Sequence, residues 1–222
     1  MGNWIQTWLN VLTRPGEPVF AEERQRPEAT LGTAMIWVAI AAVISGVVAL
    51  LRGLLFSATM QQMGGFEGIL AQSGLPQEQI DAFSQFMPMM TGQAGAGAVV
   101  GAILWAVVGF LVFVGLLHLT ARLLGGTGEF GRYAYLIAAI NAPVTIVNAV
   151  LSLVPIVGGC LSLIVLIYQI VLAYFATRVE HALPQGKAII TVLMPVFIIV
   201  VVFGCIAFAL AGVIAAMINA GN

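Results

Sequence analysis

Five apolar runs, separated by polar stretches, set the pattern of this chain: 31–56, 95–121, 133–153, 156–177 and 188–218. A helix needs about 20 mainly apolar residues to cross a bilayer, so each run predicts one transmembrane helix. The last run is longer than a crossing requires. Pro195 inside it is expected to split off its first turns or to kink it. The expected fold class is therefore all-α, a polytopic membrane bundle of five helices forming one domain over 1–222. Residues 1–30 precede the bundle, and 57–94 make the one long loop.

Two segments outside the runs are amphipathic. "NWIQTWLNVL" sets Trp4, Trp8, Val11 and Leu12 on one helical face, with Asn3 as a candidate N-cap. Tryptophan favours the membrane–water boundary, so this reads as an interfacial helix ended by "RPGEP". In the long loop, "SGLPQEQIDAFSQFMPMM" repeats Ile80, Phe83, Met87 and Met90 at helical spacing, which predicts a partly helical loop. Packing over the bundle and a binding surface both fit that stripe.

Composition supports lipid as the main solvent. Of 222 residues, 61% are hydrophobic and 8% charged, against about 25% charged in soluble domains. A net charge of -1 with no basic face excludes a nucleic-acid partner. Cys160 and Cys205 lie inside apolar runs and read as packing residues. With two histidines, the chain has no zinc-site spacing, and no metal or other cofactor is expected.

The position of the cations predicts orientation. Arg14, Arg24, Arg26, Arg122, Arg132, Arg178 and Lys187 all fall on one side in a five-span scheme. By the positive-inside rule the N-terminus is cytoplasmic and the C-terminus outside. Arg52 alone sits at the outer end of the first span. It either snorkels to headgroups or pairs with the loop through Glu67, Glu78, Asp81 or a backbone carbonyl.

Residues 126–131 read "GTGEFG", the G-x-G-x-x-G of dinucleotide-binding turns. That fingerprint has physical content only between a strand and a helix, with an acidic residue about 20 positions on. Here both flanks are membrane helices. Gly126, Gly128 and Gly131 are therefore expected to serve a tight turn with close helix approach, and no nucleotide is expected as a partner.

Polar groups at membrane depth are expensive and need a reason. Asn141 lies about eight residues, roughly 12 Å, inside the third span, and Gln169 reaches a similar depth in the fourth. Pro143 frees a carbonyl nearby. The simpler reading is an interhelical hydrogen bond beside a satisfied proline. The alternative is a polar pocket floored by Asn141, Gln169 and Tyr168 and rimmed by His118, Arg122, Arg178 and His181. The spans as drawn hold no Asp, Glu or Lys, which argues against ion-coupled transport, and no nucleophile has a base beside it, so no enzyme is expected.

The order of segments carries a resemblance. "LTRPGEPVF" is followed by the first span, then by "LLHLTARLLGGTGEFGRYAYLIAAINAP", "VPIVGG" and "IYQIVLAYFATRVEHALPQGKAIITVLMP". This resembles the Ypt/Rab-interacting protein (YIP) domain family, in its prokaryotic branch, over nearly the whole chain. The resemblance implies five spans with the N-terminus inside, a bacterial cytoplasmic membrane, and no assigned activity. The resemblance implies eukaryotic relatives that bind Rab-type GTPases and carry a long acidic N-terminal region. Residues 1–30 do not match that region, so GTPase recruitment is not expected here. The function expected is a non-enzymatic scaffold or adaptor that contacts the lipid bilayer, another membrane protein or a second copy of itself. The alternative is a small-solute or lipid transporter or channel using Asn141 and Gln169.

Overall fold

The computed structural model describes the backbone of residues 4–62 and 96–220. Among them are seven helices and no strand. These are α1 (Trp4–Thr13), α2 (Glu17–Arg24), α3 (Leu31–Gln62), α4 (Ala96–Leu123), α5 (Phe130–Leu151), α6 (Pro155–His181) and α7 (Gln185–Ala220). Helices α3 to α7 each hold a stretch long and apolar enough to cross a membrane. The fold is all-α, as the apolar runs predict. Ile80, Phe83, Met87 and Met90, and the acidic residues considered for Arg52, lie outside the described residues. Arg52 itself is exposed on α3.

Apolar runs and helices differ at their ends for a physical reason. The fourth run stops at Thr177, yet α6 continues to His181. Polarity marks where lipid ends, whereas a helix ends where its hydrogen bonds end. Pro195 does not split the last helix either, since α7 is helical from Gln185 to Ala220. A proline removes one N–H and frees one carbonyl, which a long helix tolerates. Cys160 and Cys205 are exposed rather than packed.

The chain forms two compact units. Unit 1 gathers Met1–Leu31, Leu111–Ile137 and Ile170–Asn222. Its core includes Val11, Phe20, Leu117, Tyr133, Tyr135, Leu136 and Leu172. Unit 2 gathers Gly32–Phe110 and Ala138–Gln169. Its core includes Ala34, Trp37, Val38, Phe110 and Ile140. Small residues such as Ala138, Ala139 and Ala142 are buried there, which permits close backbone approach. Of the five long helices α5 is the most enclosed, with 56% of its apolar window buried against 17–24% in the others. The outward residues of the others, such as Leu54, Leu104 and Ile164, are apolar and suit contact with lipid chains.

The helix ends of unit 1 are closed individually. Gly125 takes a left-handed φ of 96° after α4. Its N–H donates to the Arg122 carbonyl at 3.0 Å, and the Gly126 N–H donates to the Ala121 carbonyl at 2.8 Å. That pair of bonds is a Schellman cap. Lys187 Nζ adds a 2.8 Å bond to the Leu124 carbonyl. The end of α6 is less relaxed, because Ala182 follows it with φ of 51°. A Cβ in the left-handed region is strained. We expect Ala182→Gly to raise stability by roughly 1 kcal/mol, read as a higher melting temperature in detergent. An unchanged or lower melting temperature would show that this backbone stores no strain.

Candidate functional site

The densest polar chemistry in unit 1 surrounds the turn between α4 and α5. Residues 125–129 leave helix α4 without yet being in α5, so their backbone N–H groups need partners from elsewhere. The last turn of α6 supplies them. The Thr127 N–H donates to the His181 carbonyl at 3.2 Å. The Gly128 N–H donates to His181 Nδ1 at 3.2 Å. The Glu129 N–H donates to Glu180 Oε1 at 2.8 Å. Three successive N–H groups are thus held by two adjacent residues.

This grip requires glycine at two positions. A Cβ on Gly126 would stand 2.8 Å from both His181 Cβ and His181 Nδ1. On Gly128 it would stand 2.7 Å from the Glu180 carbonyl oxygen. On Gly131 the nearest atom, Leu31 N, is 3.6 Å away, an ordinary contact. The left-handed position is Gly125, outside the G-x-G-x-x-G pattern. The glycines of "GTGEFG" therefore divide, with two serving close approach and Gly131 under no such demand. We expect Gly126→Ala and Gly128→Ala each to destabilise by about 1–3 kcal/mol through overpacking, with Gly131→Ala near neutral. The folded fraction after size-exclusion chromatography in detergent measures this. Equal loss at all three positions would refute it.

Two buried carboxylates extend the site. Glu180 is 3% exposed. Besides the Glu129 N–H it meets Arg132 Nε at 3.5 Å and Arg24 Nε at 3.7 Å. Arg24 also donates to the Val179 carbonyl at 2.7 Å. Glu23 is 1% exposed. It is paired with Arg26 Nε at 2.9 Å and accepts from the hydroxyls of Thr7 and Tyr135, each at 3.2 Å. Arg178 pairs with Glu17 and leans on the Tyr174 ring. The Tyr133 hydroxyl bonds Thr177 at 2.8 Å. Through these contacts α1 and α2 are fastened to α5 and α6.

Residues singled out from the sequence are distributed unevenly. His118 stacks near His181, with ring centroids 4.9 Å apart, and meets the edge of Phe130 at 5.4 Å. It is half-buried, while Arg122 is exposed one turn on. Asn141 Oδ1 accepts from Thr145 of its own helix at 3.5 Å. Among the described residues no hydrogen bond joins Asn141 to Gln169. Tyr168 and Gln169 are half-buried in unit 2, where Pro143 is buried. The histidines belong to unit 1 and the Asn141 group to unit 2. The interfacial face of α1 also shifts. Val11 is fully buried, and the outward apolar residues are Ile5 and Leu9, with Trp4 partly exposed.

Sequence reasoning missed Glu23 and Glu180. Glu180 falls within the span Val157–His181 and is buried. It lies beyond Thr177, where the span drawn from the sequence ends, because α6 outlasts its apolar run. For Glu23 the available signal was weak: Phe20 and Glu23 share a face of a short helix, and Phe20 is fully buried.

Five apolar helices of spanning length define a multi-pass integral membrane protein. The Yip1 domain family model matches residues 9–206, and the chain belongs to that family. No curated protein and no solved structure matches it.

Burial pushes the Glu23 carboxyl above its ordinary value, against Arg26, Thr7 and Tyr135, which favour the charged form. A carboxyl raised by folding holds its proton to higher pH in the folded state. Its contribution to stability is full below the unfolded value of 4.5 and is lost as pH rises through the folded value. We expect Glu23→Gln to remove that slope from a series of melting temperatures against pH. A slope unchanged in the variant would assign it to another group.

Proposed function

We propose that this Yip1-domain protein is a non-enzymatic scaffold or adaptor of the bacterial cytoplasmic membrane. Its N-terminus and the α4–α5 turn face the cytoplasm, and its C-terminus faces outward. The observation that carries this reading is the self-contained polar centre of unit 1. Glu23 and Glu180 are engaged by arginines, hydroxyls and a backbone N–H. Carboxylates committed in this way serve as structural clamps, and they hold a rigid surface on which another membrane protein, a second copy or lipid headgroups can dock. The N–H groups that would cradle a pyrophosphate are occupied by Glu180 and His181, so nucleotide is not proposed as a ligand.

Orientation has support from the same unit. All seven cations of the positive-inside scheme fall within its segments, and Arg52 falls in unit 2. α1 is proposed to rest at the lipid boundary by Ile5 and Leu9, with Thr7 turned inward to Glu23. The transporter reading has less support, because among the described residues Asn141 is bonded to Thr145 of its own helix and not to Gln169.

Two measurements test this. Single cysteines at Gly2, Thr127 and Asn222, in a background without Cys160 and Cys205, should react with an impermeant thiol reagent in intact cells only at Asn222. The reverse pattern would overturn the orientation. Purified protein in liposomes should pass neither small solutes nor lipids faster than empty liposomes do. A flux that Asn141→Leu abolishes would replace the scaffold with the transporter.

A further inference from the structure

The imidazole of His181 occupies an unusual position. It is 1% exposed, and Nδ1 is the acceptor for the Gly128 N–H at 3.2 Å. An imidazole that accepts at Nδ1 is neutral and carries its proton on Nε2. That Nε2 has no hydrogen-bond partner among the described residues, and neither does His118 Nδ1 beside it. The His181 ring is T-shaped to Tyr133 at 4.7 Å and lies 4.9 Å from the His118 ring, so aromatic rings pack against it. Ala182, directly after it, holds the left-handed φ of 51°. The turn is thus fastened at Gly128 by a titratable ring, and the chain that carries the ring is strained at Ala182, directly after it.

We propose that His181 is a proton-operated latch on the 125–129 turn, in which a second proton, added at Nδ1, evicts the Gly128 N–H and frees the turn from the end of α6. The chemistry is one N–H bond formed and one hydrogen bond broken. Water supplies the proton once the turn breathes, because Thr127 and Glu129 flank the ring at the exposed surface. An imidazolium has two donors and no acceptor, so it cannot keep the Gly128 N–H. The ring is packed so close against this backbone that a Cβ at Gly126 or Gly128 would stand 2.8 or 2.9 Å from Nδ1.

The charges around the ring set the sign. From α4 it faces His118 and, one helical turn on, Arg122. From α5 it faces Tyr133, with Glu129 and Arg132 paired to each other at 3.2 Å. On its own helix stands Glu180, whose charge is shared with Arg24 and Arg132. Lys187 of α7 caps Leu124 at the start of the turn. A proton on His181 therefore joins a neighbourhood whose acids are already paired and whose nearest other groups are an imidazole and a guanidinium. Acid opens the turn and neutrality closes it. Glu23 acts in the opposite sense on overall stability, so a local probe is required.

The test is electron paramagnetic resonance of a nitroxide at Thr127→Cys, in the background without native cysteines, in detergent and in nanodiscs. Between about pH 7 and about pH 3.5, a range low enough to titrate an imidazole that burial, His118 and Arg122 all keep from protonating, the mobile component of the spectrum should rise several-fold and reversibly. His181→Asn places an amide oxygen near the position of Nδ1 and cannot titrate. It should hold the turn immobile across the range. His118→Gln should keep the transition, because His118 does not hold the turn. An unchanged wild-type spectrum between the two pH values overturns the latch whether or not either variant folds. A transition that persists in His181→Asn, or one lost in His118→Gln, overturns it as well.

Discussion

Everything ordered in unit 1 depends on how three backbone N–H groups are satisfied. A turn between two long helices, once enclosed, must find acceptors for its amides, and each orphan would cost about 1–3 kcal/mol. The Thr127, Gly128 and Glu129 amides take theirs from His181 and Glu180. This fixes the length of α6, which must extend past its apolar run to bring those residues alongside. It also excludes side chains at positions 126 and 128, where the last turn of α6 fills the space of a Cβ. One accounting requirement thus sets a helix end and a composition at the same time.

The buried carboxylates follow from the same grip. Glu180 stands at the N-terminus of α5, where the helix dipole and a free amide favour a negative charge. In a nucleotide-binding fold that place belongs to a phosphate. Its charge draws in Arg24 and Arg132, and Arg24 in turn reaches the Val179 carbonyl. Glu23, in the last turn of α2, is also held by several groups at once, Arg26, Thr7 and Tyr135. Buried ion pairs are weak evidence for net stability, since desolvation offsets much of their attraction. Their directional bonds do fix the register of α1 and α2 against α5 and α6, because a slipped helix would leave a charge buried and alone.

The helices were legible in the sequence and the polar centre was not. Lipid requires continuous apolar helices whose amides are satisfied internally, so hydropathy alone located α3 to α7. It could not give their ends. Arg178, Glu180 and His181 interrupt the apolar run without interrupting the hydrogen bonds of α6. The glycine turn was legible as a turn. Its left-handed residue was not, because that position is set by where the last bond of α4 falls, at Gly125, and not by glycine spacing. "EPVFAEERQR" reads as a solvated charged run, since nothing local marks Glu23 as the one acid that meets Tyr135. Asn141 at depth invited a pocket, yet the bond its side chain makes is to Thr145, one turn on in the same helix.

Sequence separation explains why such a centre escapes local reading and bears on how it assembles. Glu23 and Tyr135 are 112 positions apart, and Arg24 reaches across 155 to Val179. Loop closure over such distances is unfavourable until both ends are already held. Within a membrane the long helices satisfy their own backbones first. The N-terminal helices cannot bury Glu23 until Tyr135 is in place, nor pair Arg24 until α6 has formed its last turn. Their charges therefore stay hydrated while the later helices insert, and they dock last. The ionic bonds of α1 and α2, and the burial of Val11 and Phe20 beside them, form only after the helices that receive them. The part of unit 1 placed first in the chain is thereby the part completed last.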